Sequence, residues 1–372
     1  MGLFNGLKEI FKGSANKERK HSEQKTTKTS IKGYDTYDID PIYKKELPNG
    51  LLPGEVILIE WISGKTYEAN MPGYFEYNYG LQVNRSLNKL IREGYVEEVT
   101  PAESLSTLKV PELKEVLKSK QLKVSGKKDN LIERVKENFS TNEISNLVES
   151  NILKASTKGE DVLNEYYYIV PAHRNDSKDG VYNVANAIRH VKGLNYKPNN
   201  GDISWALFQA SFSKNIKELK YGLMRNDLHN MAKQLRKEER YSHALFNYFR
   251  VFIYDTSGLN NGRGVHHPKI MMYDIPSARE IKKLKDLLEL NEDDFRNEFS
   301  NAWDKTVIGL EFHYLTETEC YECIIALFNE HEQYVKEVLY NAYNQIIKNI
   351  DEKTFEKNYN LYYPKDFDKQ LD

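Results

Sequence analysis

The chain has 372 residues, 40% of them hydrophobic, which allows two or three domains with real cores. Its formal net charge of −2 excludes a uniformly basic nucleic-acid binder, so any phosphate recognition has to be local. The two cysteines, Cys320 and Cys323, exclude a disulfide framework and fit a reducing cytoplasm. No apolar run reaches the roughly 20 residues of a membrane-spanning helix, and a signal peptide's apolar core and cleavage site are absent.

Met1–Gly13 is an amphipathic pattern with Leu3, Phe4, Leu7, Ile10 and Phe11 on one helical face. It is too short to hold a helix alone in water, and docking on protein is the expected use. Residues 14–33 are polar and read as a flexible linker. Together, residues 1–33 carry eight Lys/Arg against three Glu, a +5 basic arm. Residues 34–104 read as a small α+β unit. Leu52-Pro53-Gly54 is predicted as a turn, and Glu55–Ile62 suits either a strand or a short helix. Met71–Gly80 is rich in aromatic residues. Asn84–Glu93 is predicted helical with Leu87, Leu90 and Ile91 inward, ended by Gly94 and followed by a strand over Tyr95–Val99. The order helix, glycine, strand is winged-helix-like.

Leu105–Phe139 is the most informative stretch. The spacing of Val110, Leu113, Val116 and Leu117 predicts a helix from about Val110 to Lys120, with Pro111 and Glu112 in its first turn. Leu122 anchors a turn. Ser125 is the expected N-cap of a second helix whose apolar face is Leu131, Ile132 and Val135. Lys127 and Lys128 then fall in that helix's first turn, where cations oppose the helix dipole and a bound phosphate would remove the conflict. The stretch holds nine Lys/Arg and five acids, a local +4. An ordinary solvated helical hairpin is the competing reading.

The pattern V-P-E-L-K-E-V-L-K-x-x-x-L-x-x-S-G-K-K-x-x-L-I-E-R-V resembles the SAP domain, a small helical DNA-binding module. Leu113, Leu117, Leu122, Gly126, Lys128, Leu131 and Arg134 fall in family positions. The resemblance implies contacts to duplex DNA by Lys109, Lys123, Ser125, Gly126, Lys127 and Lys128, with an A·T leaning. Lys118 and Lys120 join the candidate surface as neighbouring cations. Two positions depart from the family pattern. Lys109 stands where Ser or Thr often caps the first helix, and Gln121 stands where Gly often closes it.

Beyond the hairpin, Asn142–Glu149 is predicted helical and Ile152–Ala155 extended. Ser156–Asn164 reads as a wing turn leading into a helix, loosely resembling the end of bacterial winged helices. Residues 140–200 either complete the 34–104 unit, with the hairpin inserted into it, or stand as a separate unit. Tyr166–Val170 is strand-like, Val181–Lys192 helical, and Pro198–Gly201 a turn. From residue 201 to 372 the chain reads as a helical domain: Asp202–Lys214, then a pair within Leu228–Tyr254 that resembles one tetratricopeptide hairpin, with Ala232 and Ala244 at the close approach. No second copy at that period is evident. Helices follow at Ala278–Leu290, Glu292–Ile308, Thr316–His331 and Tyr334–Asn349, with a fraying tail.

No spacing points to a catalytic residue, a cofactor or a metal. Gly258–Gly264 lacks the Gly-Lys-Ser/Thr of a phosphate loop. Cys320 and Cys323, with His266 and His267, offer four possible ligands, but both cysteines fall inside a helical pattern and read as core. The expected fold class is mainly α and multidomain. The leading functional expectation is a cytoplasmic DNA-binding protein, with the helical region contacting a protein partner, a combination familiar from bacterial and phage genomes. A helical interaction scaffold, or a nucleic-acid-processing enzyme tethered by the hairpin, are the alternatives.

Overall fold

The computed structural model describes residues 38–148, 152–262 and 264–362. The expectations for the amphipathic start, the basic arm and the last ten residues lie outside them. The protein is mainly α and multidomain, with 18 α-helices and one three-stranded sheet among the described residues. Two compact units divide at Val170 and Pro171.

The first unit contains α1 (Pro53–Ile62), β1 (Lys65–Thr66), α2 (Tyr74–Tyr77), α3 (Val83–Arg92), β2 (Val96–Glu98), α4 (Pro101–Ser104), α5 (Val110–Ser119), α6 (Lys128–Asn138), α7 (Thr141–Leu147), β3 (Ile152–Ala155) and α8 (Thr157–Glu165), with α9 (Ile169–Arg174) at the divide. The ambiguous Glu55–Ile62 stretch is helical. Pro53-Gly54 is not a separate turn but the helix's first turn, because proline at N1 loses a donor the helix does not use. Val56, Ile57, Leu58 and Ile59 are all buried, so α1 is apolar around most of its circumference rather than along one stripe. Its one buried charge, Glu55, accepts from Leu52 N at 2.9 Å and from Lys89 Nζ on α3 at 2.9 Å.

Strand β3 is central in the antiparallel sheet. Leu153 pairs with Lys65 of β1, and Ala155 pairs with Val96 of β2. Strands that precede the helical hairpin therefore pair with one that follows it, and the hairpin interrupts a single sheet. Lys154 Nζ on β3 reaches Glu103 on α4 at 2.7 Å and Glu97 at 3.3 Å, bracing the point where the chain leaves the sheet. That hydrogen bond, with those from Thr100, holds the Glu103 carboxyl down at about 2. No wing turn precedes α8: Ser156 caps it directly, accepting from Gly159 N at 3.1 Å.

The strand-like Tyr166–Val170 is a turn running into α9. Its amides are taken within the chain, Tyr166 N by Val162 O and Ile169 N by Tyr166 O, so no ladder forms although Tyr166 and Tyr168 are buried. High β-propensity marks side chains that fit a half-buried surface, and here the turn supplies it.

The second unit contains α10 (Val184–Lys192), α11 (Asn200–Glu218), α12 (Tyr221–Lys237), α13 (Tyr241–Ser257), α14 (Pro276–Leu287), α15 (Glu292–Val307), α16 (Glu317–Phe328), α17 (Glu332–Ile350) and α18 (Glu352–Tyr359). Pro198–Gly201 is the start of α11 rather than a free turn, since Asn199 caps it by accepting from Asp202 N at 2.9 Å. The pair α12 and α13 forms the expected hairpin, with Ala232 and Ala244 fully buried. The core around α13 is aromatic: Phe249, Phe295, Phe299 and Phe355 have no solvent exposure. Cys320 and Cys323 lie in that core, and burial pushes the Cys323 thiol up to about 12. The tail expected to fray after Asn349 is instead held in place through Tyr362. Asp351 caps α18, Phe355 is buried, and Tyr362 N donates to Val265 O at 2.7 Å.

Candidate nucleic-acid interface

Helices α5 and α6 pack through Leu113, Val116 and Leu117 against Leu131, Ile132 and Val135, all buried, with Phe139 and Ile144 closing the far side. The connection is made by the end of α5. Leu122 N donates to Leu117 O at 3.0 Å, and Gln121 N donates to Lys118 O at 2.9 Å. This double closure requires a left-handed residue, and Gln121 supplies it at φ 57. Glycine would fit there without strain, so the departure noted in the sequence has a physical cost. The other departure leaves α5 half-capped. Lys109 offers no acceptor, while Glu112 accepts from Lys109 N at 2.6 Å.

The second helix begins later than its sequence suggests. Gly126 takes φ +132, a region strained for any side chain, so the helix cannot propagate back to Ser125. Lys127 is the N-cap residue instead, and no side chain caps the helix. The first intrahelical bond runs from Leu131 N to Lys127 O, which leaves the amides of Lys128, Asp129 and Asn130 without helical acceptors. The loop before this exposed turn is fixed by Arg134, whose Nη1 donates to Lys123 O at 2.6 Å and to Ser125 O at 3.3 Å.

The candidate cations divide by what holds them. Lys109, Lys123 and Lys127 are exposed and form no side-chain hydrogen bond or ion pair among the described residues. Lys128 is half-buried, and its ammonium donates to Ser106 O at 2.7 Å. That contact brings the start of α6 within a lysine's length of the turn that leads into α5. Lys118 is exposed and pairs with Glu115 one turn back at 2.7 Å. Lys120 is engaged three ways: Asn138 O at 2.8 Å, Glu143 at 2.9 Å, and the Phe139 ring at 4.0 Å. Ser125 and Gly126 are exposed beside Lys127.

Arg134, noted in the sequence only for its family position, fixes the loop. Ser106 and Glu143, which the sequence reading did not single out, hold Lys128 and Lys120. Ser140-Thr141-Asn142-Glu143 is a capping-box pattern that could have located Glu143. In the structure the box is closed, with Ser140 N donating to Glu143 at 2.7 Å. Lys120, followed by Ser140, holds the Glu143 carboxyl down at about 2. Nothing local in the sequence announces that the carbonyl of Ser106 would receive Lys128.

A family model described as SAP domain matches residues 104–140. No curated protein matches the chain, and no solved structure matches it. The SAP domain is in general a DNA-binding module, so the match supports nucleic-acid binding. Among the described residues no helix is long and apolar enough to cross a membrane.

Proposed function

We propose that the SAP domain at residues 104–140 binds the backbone of duplex DNA with little sequence specificity and an A·T leaning. The observation that carries the reading is the uncapped start of α6. Three amides there have no helical acceptor and stand beside Lys127 and Lys128, with Asp129 the one acid of that turn. Lys109 and Lys123 extend the surface, with Ser125 and Gly126 allowing close approach of the phosphate. Lys118 lies at the rim. Lys120 braces the module rather than touching DNA, because its ammonium is already engaged with Glu143 and the carbonyl of Asn138. Lysines reach phosphates more readily than base edges, hence the low specificity.

Four phosphate-directed lysines predict a salt slope of about −3 to −4 and an affinity on the order of micromolar at physiological salt. Anisotropy titration of labelled A·T-rich and G·C-rich duplexes at two salt concentrations tests this. Salt-sensitive binding favouring the A·T duplex supports the reading. Absence of binding at low salt removes it.

The second unit is the proposed contact for a protein partner. Met272, Leu287 and Ile308 are 65%, 55% and 87% exposed there, and they give a partner apolar footing. A protein that stays bound after nuclease treatment, and is lost on Ile308→Glu, is the expected result. A partner bound only through nucleic acid would count against this part.

A further inference from the structure

The second unit contains a cavity of about 1120 Å³, remote in sequence from the DNA-directed module. One wall is a polar face of α12. Asn226, His229, Asn230, Lys233, Gln234 and Lys237 recur there at intervals of three or four residues, over a length of about 16 Å at 1.5 Å per residue. The opposite wall is the start of α11. The two helices run antiparallel: Gly201 lies against Gln234 and Glu238, while farther along Asn215 Nδ2 donates to Asp227 at 2.8 Å. Phe208 lies between those two crossings and shares the cavity with Tyr182, their rings 6.4 Å apart.

Several features mark this space as built for a ligand. His229 Nδ1 and Asn200 Oδ1, on half-buried residues of the wall, find no hydrogen-bond partner among the described residues, so both can receive a donor from a ligand. At Gly201 the ends of the Glu238 and Gln234 side chains come close to the backbone, and any larger residue would push them aside. A Cβ there would come within 2.3 Å of Glu238 Oε1 and 2.9 Å of Gln234 Nε2. Lys178, Lys233 and Lys237 line the cavity and form no salt bridge among the described residues.

The two ends differ in chemistry. At the Gly201 end, Lys233 and Lys237 stand one helical turn apart, with the Glu238 carboxylate beside them, and Asp176 and Asp179 line the same space with Arg174 and Lys178. Asn199 already caps α11, so the groups at this end that suit a phosphoryl group are the two ammonium groups. Toward the Asn226 end, the amides of Asn226 and Asn230 and the ring of His229 offer donors and acceptors, with Tyr182 and Phe208 as aromatic surface between. Burial, with the charges of Arg225 and Lys233, keeps His229 neutral by holding its pKa down at about 4, so one ring nitrogen remains an acceptor at pH 7. The space is far larger than a lone phosphate needs and slightly exceeds the roughly 300–1,000 Å³ of common small-molecule sites.

We infer that this cavity binds a nucleotide, its phosphates on Lys233 and Lys237 and its base toward Asn226, His229 and Asn230. The site is independent of the DNA-directed surface of the first unit.

Isothermal titration of the full chain tests the assignment, using nucleoside 5′-monophosphates and 5′-triphosphates, the parent nucleosides, and inorganic phosphate. The expected result is nucleotide binding at least tenfold tighter than either the nucleoside or phosphate alone. Lys233→Glu with Lys237→Glu weakens it at least tenfold, and His229→Ala changes the preference among bases. Both lysines are exposed, so the double variant retains its helical circular dichroism. Lys123→Glu with Lys127→Glu leaves nucleotide binding unchanged, which separates this site from the DNA surface. No binding of any nucleotide overturns the proposal. So does binding indifferent to the Lys233 and Lys237 reversals, or phosphate binding as tightly as nucleotide.

Discussion

The SAP domain and the second unit keep their shapes by different means. The module's core is nine buried apolar side chains, whereas the cluster around α13 has twenty-seven, many of them aromatic. A core as thin as the module's leaves little surplus over chain entropy. The module therefore leans on polar braces: Lys128 on Ser106, Arg134 on the Lys123 carbonyl, and Lys120 on Glu143. The second unit instead buries polar groups inside a thick core. His313 accepts from Leu315 N at 3.0 Å and donates to Ile253 O at 3.0 Å, packed edge-on to Trp303. The same lysine type thus serves as a structural strut in the module and as a free surface charge a few residues away. Its partners decide which, not its place in the sequence.

The sharpest break in this comparison is a large-to-small change in each core. Leu117→Ala should cost about 2–5 kcal/mol, which equals or exceeds what so small a core supplies. The module should unfold on its own while the second unit's transition is unmoved. Phe299→Ala should cost about 3–5 kcal/mol and lower the second unit's melting temperature without unfolding it at 25 °C. Hydrogen exchange resolved by segment would read both. A single cooperative transition lost in both variants would show that the two regions do not differ as argued.

Charge reversal comes next in size. Lys123→Glu with Lys127→Glu should reduce DNA affinity more than tenfold at low salt, since neither ammonium is engaged elsewhere among the described residues. Lys120→Glu and Lys128→Glu should instead loosen the module, by separating it from Glu143 and from the Ser106 carbonyl. If the Lys120 variant lost affinity as steeply while its fold stayed intact, Lys120 would belong on the DNA surface.

Acid should separate the regions by pH. In the second unit, burial holds His229 and His313 down at about 4, below the unfolded value of about 6.5. Their folded forms bind fewer protons, so their contribution is complete above 6.5 and is lost as pH falls toward 4. Asp227 works against this. Burial raises it to about 6, so its contribution is complete below about 3.9 and is lost as pH rises through 6. In the module, Glu143 lies at about 2 because of Lys120 and Ser140, so its contribution holds above about 4.3 and disappears toward 2. On acidification the second unit should weaken first, and Asp227→Asn should make its loss steeper. Following tryptophan fluorescence of Trp303 against module-specific exchange would detect the order, and the reverse order would overturn it.

The smallest effect is a gain. Gln121→Gly should stabilise the module by about 1 kcal/mol, since the left-handed position costs any L side chain about that much. An unchanged denaturation midpoint would mean that the strain is relieved elsewhere.

What the sequence determined is whatever depends on near neighbours. The helical periodicities of α5, α6 and the α12–α13 hairpin, the match to the SAP pattern, and the two cap departures at Lys109 and Gln121 were all legible, because three- and four-residue spacings and cap chemistry act within one or two turns. Tertiary structure decided the rest. Glu55–Ile62 became a helix and Tyr166–Val170 did not become a strand, because burial on all sides accepts either pattern and only the available partners choose. Ser125 yielded the cap to Lys127 through the backbone of Gly126. Lys120 and Lys128 found Glu143 and Ser106 across 23 and 22 residues of chain. The cavity walls, Gly201 against Glu238 and His229 facing the same space, meet only when α11 folds back on α12. No local signal encodes a contact whose energy exists only after the chain has closed.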